Sequence, residues 1–354
     1  MSDAHPYVFD GHNDLMTRLW QGGGREALGS FANGRDAAID LRRAEAGGFG
    51  GGFFACWVPS PEDLPLDKLH ELMRRPSYDI PLPDPLPWER CLRVILAQAA
   101  LLHELDRQGL LRLCRTVAEI RSARSEGKLA AIFHVEGAEA IDPELDTLDI
   151  LHAAGLRSLG PVWSRSTAFG HGVPFAFPSS PDRGPGLTEA GKRLVARCDA
   201  LGIMLDLSHL NEAGFWDVAR LSTKPLVATH SNAHAICPHS RNLTDAQLDA
   251  IAESDGMVGL NFAVSFLRED GRKIAETPVE VMLRHLDHLI ERLGEDRVGL
   301  GSDYDGAVVP EAVSDVSRLP VLRRAMADHG YGKALIEKIC HGNWLSLLER
   351  SWAA

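Results

Sequence analysis

Eight short apolar runs, most followed by a longer amphipathic stretch, recur along nearly the whole chain, and this alternation restricts the fold more than any other feature. The runs cover 7–9, 51–58, 129–135, 156–163, 203–207, 225–229, 257–263 and 298–302. Such runs, rich in Val, Ile and Phe, suit strands buried on both faces, and the stretches between them suit covering helices. Helices are expected over 188–201, 212–221, 245–254 behind a Thr244 cap, and 279–293 behind Pro278. Gly202, Gly256 and Gly294 close three of them. Eight β-α units predict a (β/α)8 barrel of the α/β class, with a doubly wound open sheet as the alternative. At ~150 residues per domain a chain of 354 would divide in two, but barrels run to ~250 or more as one unit. No linker, repeat or low-complexity tract interrupts the series, so 1–354 reads as a single domain. The Gly/Pro-rich stretches 22–24, 59–87 and 173–186 read as loops at the barrel ends.

Charge and hydropathy exclude several partners. A net charge of -12 repels phosphate backbones and anionic lipid surfaces, which argues against nucleic acid. No apolar stretch approaches the ~20 residues of a membrane span, and the first residues lack the basic-then-apolar order of a secretory signal, so a cytoplasmic protein is expected. Six cysteines stand singly with no C-x-x-C, which speaks against a disulfide framework or a cysteine zinc site.

Polar residues gather where the apolar runs end, and in a barrel the C-terminal strand ends carry the chemistry. After the first run come His12 and Asp14, two apart and facing the same way on an extended segment. The same H-x-D spacing at His285 and Asp287 falls inside a predicted helix, where it is expected on the exposed surface. The third run ends in Glu136, whose two oxygens can bridge two cations; His134, two residues deeper, is a rival ligand or a core histidine. The fifth and sixth end in His209 and His230, each of which could be structural taken alone, and the eighth in Asp303, which a turn cap would also explain. Collected, these six residues outline a binuclear site. Nitrogen and oxygen ligands without thiolate suit zinc, with manganese, cobalt or iron as substitutes. Two divalent cations would be balanced by three carboxylates and a hydroxide.

The motifs DGHND (10–14), VEGAEAI (135–141), DLSH (206–209), ATHSNAHAI (228–236), SRNLTD (240–245), GSDYDG (301–306) and HGNWL (341–345) resemble, in order and over almost the whole chain, the membrane or renal dipeptidases of the amidohydrolase superfamily. The resemblance implies a binuclear zinc (β/α)8 hydrolase. It implies His12 and Asp14 on one zinc, His209 and His230 on the other, and Glu136 and a hydroxide bridging both. Asp303 would be the proton shuttle and Arg241 the residue that holds the substrate carboxylate. One position departs: a substrate-contacting histidine of animal members aligns with Trp163, whose indole donates one N–H but cannot carry a proton.

The sequence thus reads as a zinc dipeptidase hydrolysing small dipeptides, with the L or D chirality of the C-terminal residue left open. The resemblance suggests a homodimer. An N-acyl amino acid deacylase, lactonase or phosphotriesterase on the same barrel is the alternative, but most such relatives begin with H-x-H and bridge through a modified lysine. A metal-stabilised binding protein without activity would have lost ligands, and none is missing.

Overall fold

The computed structural model describes residues 6–34, 37–60 and 66–352. In chain order the strands are β1 (Val8–Asn13), β2 (Phe49–Trp57), β3 (Tyr78–Ile80), β4 (Arg112–Leu113), β5 (Ala130–Glu136), β6 (Leu156–Gly160), β7 (Phe175–Phe177), β8 (Met204–Leu205), β9 (Val227–Ala228), β10 (Met257–Asn261) and β11 (Val298–Gly301). Parallel pairing runs β1-β2-β5-β6-β8 in one arc and β9-β10-β11 in another. Two seams join the arcs. Leu207 donates its amide to Val227 O at 2.8 Å, and on the other side Asp303 N reaches His12 O at 3.0 Å and Asp14 N reaches Tyr304 O at 2.8 Å. The eight expected runs are the eight strands of this TIM-type barrel.

Expected helix limits hold closely, because their caps are written in the sequence. Thr188, Asn211 and Thr244 each accept an amide from three residues on, and Gln247 completes a capping box with Thr244. The helix Val279–Leu293 differs in one respect. His285, expected on its exposed surface, lies on the buried stripe with Met282, Leu286 and Leu289. Its Nε2 meets Leu267 O at 2.9 Å and its Nδ1 accepts from Ala233 N at 3.2 Å. Asp287 is exposed, as expected.

The stretches expected as loops carry structure. The backbone of Leu66–Leu72 is helical, and β3 pairs antiparallel with β7, so two long excursions are stitched together above the strand ends. Residues 61–65 of the first stretch lie outside the described residues. Tyr78 caps this ribbon by donating its hydroxyl to Gly271 O at 2.6 Å.

Inside the barrel, Phe9, Phe53, Ile132, Met257 and Trp344 fill the floor. The rest of the core lies between strands and helices. Gly301 lets β11 approach β9, since a Cβ there would sit 1.9 Å from Thr229 O. That closeness brings the β1 and β9 ends together above the floor. Among the described residues no helix is long and apolar enough to cross a membrane.

Candidate metal centre

Polar side chains from β1, β5 and the segments following β8, β9 and β11 converge on this floor. His12 lies within β1, beyond the expected end of that strand, and Asp14 follows it directly; Glu136 is the last residue of β5. His209 and His230 stand just past β8 and β9. All five are buried. The Glu136 carboxylate is the hub: Oε2 lies 3.7 Å from His12 Nε2, and Oε1 lies 3.1 Å from His209 Nε2 and 3.4 Å from His230 Nε2. His12 Nε2 is also 3.5 Å from Asp14 Oδ2, and its ring stacks on His230 with centroids 3.8 Å apart.

Hydrogen bonds behind the histidines decide which nitrogens face the centre. Thr229 Oγ1 gives its one proton to Asp206 Oδ2 at 2.5 Å, so it accepts from His230 Nδ1–H at 2.8 Å. That leaves a lone pair on His230 Nε2. Ser164 Oγ lies 2.8 Å from His209 Nδ1 and fixes the orientation of that ring. The two Nε2 atoms then confront each other at 3.2 Å. Among the described residues, neither buried ring nitrogen of His12 has a hydrogen-bond partner. A lone pair on His230 and orphaned nitrogens on His12 around a shared carboxylate are stable when a cation lies among them. The donor set therefore fits divalent metal. Ligand atoms of His12, Glu136 and His230 come within 4.8 Å of one another, as do those of His12, Asp14 and Asp303.

Electrostatics point the same way. Burial pulls the His12 imidazolium down, yet Glu136, Asp14 and Asp303 outweigh it and push its pKa up to about 10, so the pocket demands positive charge there. Burial raises Glu136 well above the carboxylate range, with His12 opposing and Asp14, Asp303 and Asp206 adding to it. His209 and His230 are held neutral by burial and by the charges of Arg241 and His12.

Around this hub sit the remaining expected residues. Asp303 has φ of 59° and His209 of 68°, a left-handed backbone that costs ~1 kcal/mol or more for a non-glycine residue and persists where function needs the direction it gives. Asn261 Nδ2 donates to Asp303 Oδ2 at 3.0 Å. Gly306 leaves room for the carboxylates, since a Cβ there would lie 2.0 Å from Asp14 Oδ2 and 2.7 Å from Asp303 Oδ1. Arg241 is buried, and its Nη2 donates to His230 O at 3.2 Å and Nη1 to Ser231 Oγ at 3.4 Å. Among the described residues its Nε has no partner. Trp163 stands beside His209 with ring centroids 5.8 Å apart. His134, the rival ligand, lies lower, bonded through Nδ1 to Ser158 Oγ at 2.9 Å with Nε2 3.7 Å from Asp206.

Several residues here escaped sequence reasoning. Asp206 and Thr229 lie inside the recognised motifs, so their positions were visible but their coupling was not. Asn261 ends β10 and Ser164 lies beyond β6, and neither carries a spacing signal. Lys273, whose ammonium burial lowers to about 8 against the pull of Asp303, lies on a loop with no motif.

A family model described as membrane dipeptidase, peptidase family M19, matches residues 3–352. A metallopeptidase from Rhodobacter sphaeroides, whose structure carries a phosphinate mimic of the dipeptide L-Ala-D-Ala, is 56% identical with a TM-score of 0.96, covering 99% of this chain and 100% of that one. A structure of dipeptidase AC, an M19 metallopeptidase, is 56% identical with a TM-score of 0.95 over the same shares. An uncharacterised Klebsiella pneumoniae protein from the region 5' of pqqA is 47% identical over 261 residues, 73% of this chain and 96% of its own length.

Proposed function

Because the chain belongs to the membrane dipeptidase family, peptidase family M19, and is a metallo-dipeptidase, we propose that it works with two zinc ions, one held by His12 and Asp14, one by His209 and His230, and both by Glu136. The observation that carries this reading is Glu136, whose two oxygens face different histidines, Oε2 toward His12 and Oε1 toward His209 and His230. When bound there, the pair would supply hydroxide near neutral pH and polarise the scissile carbonyl.

The protein's own groups do the rest. Asp303, raised to about 6 chiefly by burial, can take a proton from the attacking water and return it to the leaving amine. Asn261 fixes one of its oxygens, leaving the other toward Asp14 and the centre. Arg241 offers an unpartnered Nε–H from a buried guanidinium whose pKa burial lowers only to about 10, so it stays charged. It clamps the free α-carboxylate and limits substrates to one residue beyond the cut. Trp163 takes the place of a proton-carrying side chain and serves as a substrate wall with a single N–H. The phosphinate mimic of L-Ala-D-Ala bound by the Rhodobacter relative supports dipeptides here, those ending in a D-residue included.

Amidating the substrate C-terminus tests the clamp. It leaves the buried Arg241 charge without its carboxylate, at a cost of ~2–4 kcal/mol in transition-state binding. Amidated dipeptides should be poor substrates, and Arg241→Met should abolish the preference for the acid. Equal cleavage of acid and amide by the parent enzyme would remove the clamp.

A further inference from the structure

A row of rings leads from Arg241 across the centre to Trp57. The Arg241 guanidinium carbon lies 5.3 Å from the Phe266 ring, Phe266 stacks on Phe175 at 6.0 Å, Phe175 meets Trp163 edge-on at 5.6 Å, and Trp163 meets Trp57 at 4.9 Å. His209 sits against the middle of the row, 5.8 Å from Trp163 and 6.4 Å from Phe175. The order along the wall is therefore carboxylate clamp, metal-site histidine, then two indoles.

These rings are built to face a ligand. Phe9, Phe53, Phe133 and Phe262 are fully buried, whereas Trp57, Trp163 and Phe175 keep part of their surface open. Trp57 is pinned from behind: its amide donates to Gln98 Oε1 at 2.9 Å, and its carbonyl accepts from Gln98 Nε2 at 2.7 Å. Its position on β2 is in register with Glu136 on β5. The Trp57 indole N–H is buried without an acceptor among the described residues, which leaves one donor for an incoming atom. The charged group packed on Trp163 is Arg165, 5.6 Å from the ring, and Glu139 neutralises it from 2.7 Å. Past Arg241 the wall is thus apolar, and the one cation packed on it is paired with Glu139.

A dipeptide anchored by its carboxylate at Arg241 places its peptide bond one residue along this wall, at His209. Its first side chain then falls against the indoles. We propose that Trp57 and Trp163 form the subsite for the amino-terminal side chain and select large apolar side chains there over acidic ones. Indole faces take apolar surface out of water, whereas a carboxylate would be desolvated beside indole N–H groups and no unpaired cation. The direction of this assignment rests on Arg241 as the carboxylate clamp.

The test compares kcat/KM of the metal-loaded enzyme for Leu-Ala, Gly-Ala and Asp-Ala, and for Leu-Ala amide, in the parent and in Trp57→Ala. The parent should prefer Leu-Ala to Gly-Ala and to Asp-Ala by tenfold or more, since even one methylene in an apolar pocket carries ~10–200-fold. In Trp57→Ala the Leu-to-Gly ratio should fall about tenfold, and the dissociation constants of the corresponding phosphinate mimics should converge likewise. An unchanged ratio with the acid-over-amide preference intact overturns the indole subsite alone. Loss of the acid-over-amide preference in the parent overturns the clamp, and the direction of binding with it. Should Trp57→Ala fail to fold, the parent still decides: Asp-Ala cleaved as well as Leu-Ala overturns the proposal.

Discussion

The Nε2 atoms of His209 and His230 face each other across 3.2 Å, each ring steered there by a hydroxyl on its far nitrogen. For His230 the steering runs through Thr229 to Asp206, a chain of two hydrogen bonds sealed from solvent. Thr229→Val keeps the shape and removes the acceptor for His230 Nδ1–H. Metal affinity should weaken ~10–100-fold, as for other supports of ligating histidines. Competition with a chelator measures it, and an unchanged dissociation constant would show that Thr229 does not orient the ligand.

On the proposed ligand assignment Glu136 holds both metals and His12 only one. Glu136→Gln should therefore lose both metals on dialysis, whereas His12→Ala should retain about one of two. Equal retention in the two variants would contradict the bridging assignment.

Asp303 must be ionised to accept a proton. Burial raises it to about 6, with His12 opposing, and bound cations would lower it. The acid limb of kcat/KM should accordingly have its midpoint at or below about pH 6, with activity falling as pH drops through it. Asp303→Asn should keep its metals, lose that limb and drop kcat by ~10²–10⁴-fold. A kcat within twofold of the parent would assign the proton transfer elsewhere.

The strand-end residues were legible in the sequence because each one ends an apolar run, and the barrel turns equivalent run ends into neighbours. The end of β1 was not, since Asp10, Gly11 and His12 read as polar residues beyond a strand. In the structure Asp10 is fully buried in the ladder and takes hydrogen bonds from Ser302 N and Oγ, both at 2.7 Å, across the closing seam. That partner is far away in the chain and leaves no local pattern. The β3 and β7 ribbon was hidden for a related reason: three-residue strands show no periodicity. His285 was misread because its H-x-D spacing drew attention from its place at i, i+4 to Leu289 on the apolar stripe.

His285 also makes a prediction about stability. Burial lowers it from 6.5 to about 4, so between those pH values the unfolded chain binds a proton that the folded protein does not. Stability falls as pH drops from 6.5 to 4, by roughly 3 kcal/mol from this group at ~1.36 kcal/mol per unit. His285→Gln should remove up to one proton from that slope in urea titrations run beside the parent. Equal slopes would mean that the imidazole is charged in the fold.

The central claim is a two-metal centre that performs the dipeptidase reaction, and metal content measured on the same sample whose dipeptide hydrolysis is assayed tests it most directly. Close to two divalent ions per chain are expected, zinc first among them, with activity lost on chelation and restored by adding the metal back. A preparation that is fully active while containing no divalent metal would contradict it.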